Sequence, residues 1–296
     1  MTTEQMLLQT FINGIMASLI LILISSGLCL IFGILNIVNF AHGEFFMLGG
    51  FGIWWFFGAH PFITGIPSTL NYFLAMIVTM VFVAIVGIAV EKFIYRPVHA
   101  NHSSLMIVSL GIMFVLQASA LVMFGPEDKS ARSPFGGVIN MGYLSFSEER
   151  LAAITCGVTV IVVLYFFIER TKIGKAMRAV AGDPEAALVQ GIPTGKIFSI
   201  AMGVCCALAG AGGALVGPIF YINPYMGVEP VLKAFAVVIL GGLGSLPGAL
   251  IGGFIIGITE TFVTTYVGAH FSTVVVFLIM IGVLIARPTG LLGHAK

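Results

Sequence analysis

The chain has 296 residues, only 8% of them charged, and a mean hydropathy of +1.11. Soluble domains carry roughly 25% charged residues, so a water-soluble fold is excluded. A formal net charge of +1 says nothing about partners, and so little charge outside the apolar runs gives no footprint for nucleic-acid binding. Apolar segments of membrane-crossing length recur throughout, which is the signature of an all-α, polytopic helical integral membrane protein.

Phe11 to Ile34 is the first predicted span, punctuated by Asn13, Gly14, Ser18, Ser25, Ser26 and Gly27, small and polar residues that suit close helix packing. There is no basic n-region before it and the run is too long for a signal h-region, so it is expected to stay in the membrane. Met1 to Thr10 carries no Lys or Arg, and the expectation for the N-terminus is outside. Asn36 to Trp55 is unusual. It is apolar enough to enter the bilayer, yet it contains Asn36, Asn39, His42 and Glu44, and Gly43, Gly49, Gly50 and Gly52 weaken a continuous helix. An ionisable group at membrane depth costs roughly 2.5–3.5 kcal/mol on the insertion scale, so it faces a pathway or a partner, or it snorkels to the interface. Both readings stand for these four residues: lining a translocation path, or bracing and capping a broken helix.

Trp54 and Trp55 read as an interfacial belt. His60–Asn71 is expected to be a short outside loop, Leu70–Val90 a span, and Glu91–Pro97 a small basic cytoplasmic loop, with His99 and His102 as solvated loop residues. Ser104–Phe124 spans. Gly125–Arg150, with four acids and three bases, is a compact external loop, and Leu151–Ile168 crosses back.

Arg170 to Ile197 holds five of the thirteen Lys and Arg residues, which marks it as cytoplasmic. Within it, Ala176–Gln190 reads as a short helix with a start signal in its middle: Asp183 as cap, Pro184 at the first position, and Glu185 in the first turn. No catalytic set accompanies that helix, so its plain use is as a surface for another protein.

Phe198–Gly217 then spans, followed by an external connection at 218–230. Val231–Leu240 is too short to cross unaided and is broken at Gly241, Gly242, Gly244, Pro247 and Gly248, residues of a helix break and close packing. Leu250–Tyr266 and Ser272–Ala286 follow, with Glu260 placed at an interface. The total is about eight or nine spans, depending on whether 36–55 and 231–248 cross fully or re-enter. The four cysteines lie in apolar runs as buried hydrophobes.

Gly191-Ile-Pro-Thr-Gly195-Lys196 imitates a phosphate loop, but its glycine spacing is too short and Ile197 stands where Ser or Thr is needed. With no HExxH, no GxSxG and no metal or cofactor set, the chain reads as a non-enzyme without cofactor or metal that draws its energy from elsewhere.

Three stretches together carry a family resemblance: GLCLIFGILNIVNFAHGEFFMLGG (Gly27–Gly50), GKAMRAVAGDPEAALVQGI (Gly174–Ile192) and KAFAVVILGGLGSLPGALIGG (Lys233–Gly253). Glu91–Val98 and Arg287–Gly293 add to it. The chain resembles the smaller, H-type permease subunits of branched-chain amino acid ABC importers, in a family that also holds urea and short-chain amide permeases. The resemblance implies a single transmembrane permease domain over 1–296 in the bacterial inner membrane. It also implies separate ATPase subunits, a second permease subunit (hetero- or homodimer) and a periplasmic substrate-binding protein. Arg178, Asp183, Glu185, Ala186, Ala187 and Gly191 match the loop that couples such permeases to their ATPases. Pro193-Thr194 resembles the urea and amide relatives, which keeps those substrates as an alternative. A proton-coupled secondary transporter using His42 and Glu44 is an alternative of another class.

Overall fold

The computed structural model describes residues 3–59, 67–98, 102–141 and 144–293. The expected loop residues 60–66, His99 and the side chain of His102 fall outside these. Among the described residues twelve α-helices follow one another: α1 (Thr3–Leu35), α2 (His42–Ile53), α3 (Ser68–Val90), a one-turn α4 (Arg96–Val98), α5 (His102–Phe124), α6 (Glu148–Arg170), α7 (Lys172–Gly182), α8 (Pro184–Val189), α9 (Thr194–Val216), α10 (Val228–Gly241), α11 (Leu246–Tyr266) and α12 (Ala269–Ala286). Two π-helical turns, Trp54–Ala59 and Glu91–Tyr95, extend α2 and α3. Glu91–Pro97, expected as a loop, is therefore corrected to a continuation of the α3 span. Seven helices (α1, α3 with its extension, α5, α6, α9, α11 and α12) are long and apolar enough to cross a membrane. The protein is an all-α, multi-pass integral membrane protein, and α2 and α10 are shorter apolar helices packed among the long ones.

At the centre are α1 and α9, largely buried, while α12 and α6 turn most of their apolar surface outward. In a bilayer there is little hydrophobic drive between helices, so close van der Waals packing has to hold them, and small residues permit it. α1 runs antiparallel to α11, with Gly257 against Ser18 and Gly33 against Gly244, and antiparallel to α9, with Gly27 against the Cys205 carbonyl. The closest approach is between α2 and α9. A Cβ on Gly213 would collide with the Phe46 carbonyl oxygen, so only glycine fits there.

The same contacts fix the direction of α1. Asn13 accepts a 2.6 Å hydrogen bond from Arg150 at the start of α6, which places the α1 N-terminus at the end of the bundle opposite the basic loop. At that far end Phe51 stacks on Phe124 at 4.4 Å, and Trp54 and Trp55 lie edge-on to Phe124. The loop that follows contains a small hairpin, β1 (Val138–Met141) against β2 (Leu144–Ser147), which the sequence reading does not anticipate.

The helix break at 241–248 is a hairpin of two antiparallel helices. Gly242 and Gly244 adopt φ of +105° and +80°, conformations that favour glycine. Ser245 then caps α11 by accepting from Gly248 N at 3.2 Å, with Pro247 in the first turn. Gly241 and Gly248 meet backbone to backbone. The C-terminal tail closes this end, because Leu291 N and Leu292 N donate to the carbonyls of Leu240 and Gly241 at 2.8 and 3.0 Å. The last carbonyls of a helix have no partner within it, and here the tail supplies one.

Candidate functional site

Two regions gather the polar chemistry of the chain. The first is the basic loop. The single helix expected over Ala176–Gln190 is corrected to two, α7 and α8, hinged at Asp183. Asp183 has extended backbone, so α7 cannot continue through it. Its carboxylate accepts from Glu185 N at 2.9 Å and Ala186 N at 3.0 Å, and Pro184 occupies the first position of α8. The C-terminus is closed as firmly: Gly191, at φ +83°, donates to the Leu188 carbonyl, and Ile192 N donates to that of Ala187. This pair of bonds is the Schellman pattern. A helix of 6 residues would be unstable alone, and these caps are what define it.

The loop divides into an inward and an outward face. Met177, Val180 and Ala187 are buried against the bundle, and Gly174 packs on the last turn of α6. Arg178, expected in the coupling set, turns back to that same turn, donating to the Ile168 carbonyl at 2.5 Å and pairing with Glu169 at 3.0 Å. Outward stand Glu185, Ala186 and Gly191, together with two apolar residues the sequence reading passes over, Leu188 at 59% and Val189 at 89% exposure. These two apolar side chains stand side by side on an otherwise polar loop.

The second region is the foot of α2. Asn36, at φ +56°, ends α1 and is exposed; the chain then runs without helical hydrogen bonding to His42. Asn39, His42 and Glu44 are fully buried. Tyr95 OH donates to Asn39 Oδ1 at 2.8 Å, His42 Nε2 donates to the Ile24 carbonyl at 3.0 Å, and Gln117 Nε2 donates to Glu44 Oε1 at 2.8 Å. Ser109 on α5 receives Phe40 N at 3.2 Å. Asn39 Nδ2, His42 Nδ1 and Glu44 Oε2 are buried without a hydrogen-bond partner among the described residues. The structure therefore brings Asn39, His42 and Glu44 into one buried polar band and leaves Asn36 at its solvent edge. Their partners Tyr95 and Gln117 lie too far away in sequence for any local signal to find them.

Glu260, expected at an interface, is tied between helices. Lys233 on α10 is buried and bonds both Glu229, at 2.5 Å, and Glu260. Its position on an apolar helix, four residues from Glu229, is the signal that the sequence offers. No group of His, Cys, Asp and Glu suited to a metal exists among the described residues.

Comparison with known proteins identifies the family. The family described as "Branched-chain amino acid transport system / permease component" matches residues 10–284. The chain is 33% identical to the high-affinity branched-chain amino acid transport system permease protein LivH of Escherichia coli K12, over 99% of this chain and 98% of that one. It is 30% identical to the permease protein BraD of Pseudomonas aeruginosa, over 98% and 96%. It is also 30% identical to the probable branched-chain amino acid transport permease protein LivH of Methanocaldococcus jannaschii, over 98% and 93%. No solved structure matches. The chain belongs to the family of branched-chain amino acid transport permease components.

Proposed function

We propose that this chain is the translocation subunit of a binding-protein-dependent ABC importer for branched-chain amino acids. The whole of 1–296 acts as one transmembrane permease domain in the bacterial inner membrane. The observation that carries the reading is the exposed, doubly capped helix α8, set on a chain that matches amino acid permeases over its whole length. Separate ATPase subunits dock on Glu185, Ala186, Leu188, Val189 and Gly191. Asp183 fixes the helix and Arg178 anchors the loop to α6. A rigid helix passes on a displacement that a loose loop would absorb.

A second permease subunit completes the path, and a periplasmic binding protein delivers substrate at the far end, near 125–150 and 218–230. Asn36, Asn39, His42 and Glu44 stand beside the path, where the buried members brace the wall around the foot of α2. The break at Gly241–Gly248 sets the length of α10 on the same wall.

Uptake in vesicles that hold this chain with its neighbouring permease, ATPase and binding-protein subunits tests the reading. ATP-dependent accumulation of labelled leucine is expected. Urea accumulation in place of leucine would keep the transporter class and change the substrate. Leucine uptake that an uncoupler abolishes at constant ATP would replace the class with a proton-coupled carrier.

A further inference from the structure

Two sets of hydrogen bonds, joined through the backbone of Glu91–Arg96, run from the first two turns of α9, directly after the exposed loop, to the foot of α2. The Arg96 guanidinium donates to the Gly195 carbonyl at 2.6 Å and to Ser199 Oγ at 2.7 Å, and it holds Glu91 with two bonds of 3.2 and 2.9 Å. Ser199 Oγ in turn donates to Glu91 Oε2 at 2.5 Å. Charge-assisted, forked bonds of this kind fix orientation more firmly than neutral ones. Glu91 is only 3% exposed, so water competes weakly for this carboxylate.

Glu91 and Tyr95 share the π-helical turn at the end of α3, where Arg96 N–H reaches the Glu91 carbonyl five residues back. Single π turns inside α-helices are frequent at functional sites. Tyr95, 1% exposed, leaves the same turn and bonds Asn39, whose carbonyl accepts from His42 N at 3.3 Å and so begins the entry into α2. The segment it holds and the first turn of α2 are held by few hydrogen bonds. The segment lacks helical hydrogen bonds, Asn36 is left-handed, and Asn39, His42 and Glu44 each keep one buried polar atom unpaired.

We infer that the Glu91–Arg96 turn is the transmission element of the transport cycle. Glu91 and Arg96 follow the first turn of α9, and Tyr95 and Asn39 are positioning residues that set the foot of α2. The inference rests on the proposed docking of ATPase subunits on α8. A displacement of that loop shifts Gly195 and Ser199, turns the π segment, and alters the position of α2 at the depth of Glu44.

The test reads α2 directly and needs no knowledge of the substrate. Leu48, partly buried on α2, becomes the probe as Leu48→Cys in a Cys156→Ser background, within the complex assembled with its ATPase subunits. The alkylation rate of the introduced thiol is compared without nucleotide and after trapping with ATP and vanadate. A clear difference is expected with Tyr95 in place. In Tyr95→Phe, which keeps the ring and removes only the hydroxyl, that difference should shrink roughly three- to tenfold, the factor one hydrogen bond is worth.

Arg96→Lys, which keeps the positive charge at a half-exposed site, should shrink it too and serves if the phenylalanine variant does not fold. No nucleotide effect on the Leu48→Cys thiol with Tyr95 present, or an undiminished effect in both variants, overturns the relay. Glu185→Lys separates the two readings. If it leaves both ATPase association and the nucleotide effect intact, the docking surface is wrong; if it abolishes them while Tyr95→Phe and Arg96→Lys change nothing, only the relay is wrong.

Discussion

Gln117 on α5 donates to Glu44 on α2 at 2.8 Å, and this bond spans 73 residues of sequence to partner a fully buried carboxylate. It gives the acid a structural reason to exist at membrane depth. Glu44→Gln keeps an oxygen for Gln117 to donate to, and it should leave both the assembled complex and leucine uptake near the original level. Glu44→Leu orphans the buried Gln117 amide, a loss of about 1–3 kcal/mol. Thermal unfolding of the purified chain in detergent reads that loss. Abolished uptake in a stably folded Glu44→Gln would instead give the charge a direct part in transport.

Lys233 is the one buried cation bridging two carboxylates among the described residues. Removing one member of a buried ion pair leaves an uncompensated charge and costs roughly 3–5 kcal/mol. Lys233→Met should therefore lower the melting temperature sharply. Lys233→Met combined with Glu260→Met should recover much of it, because the remaining Glu229 is largely exposed. Equal melting temperatures for the single and double variants would mean that the pair contributes nothing.

Glycine is required at some helix positions and idle at others, and the structure separates them. Gly213→Ala forces a methyl onto the Phe46 carbonyl between α9 and α2, an overpacking cost of typically about 1–3 kcal/mol. Gly111 on α5 meets nothing within 4 Å, so Gly111→Ala should be neutral or gain up to about 1 kcal/mol from helix propensity. Melting temperature should fall for the first variant and hold or rise for the second.

The parts of the fold that are legible in the sequence are those encoded locally. Asp183-Pro184-Glu185 announces the start of α8, because caps act within a few residues. Gly241 to Gly248 announces the break after α10 for the same reason, and the apolar runs announce the spanning helices. What escapes depends on long-range contact or on a slip in helical period. Glu91–Arg96 reads as a basic loop, yet it continues α3 as a π turn, and a change from α to π bonding has no composition signal. The pairing of Glu260 with Lys233 escapes because the two lie 27 residues apart on different helices. Leu188 and Val189 look like ordinary apolar residues until the inward face of the loop is known.

On this reading the permease takes its energy from ATPase subunits that grip the outward face of α8. Val189 is the most direct place to test it, since at 89% exposure a change there should alter folding stability by no more than about 0.5 kcal/mol. The measurement is the affinity of the ATPase subunits for the reconstituted permease, original and Val189→Asp. Melting of the permease should be unchanged and ATPase affinity should fall at least roughly tenfold, the effect of burying an unpaired charge in an apolar contact. Equal affinity for the two proteins would contradict it and place the ATPase contact elsewhere on the chain.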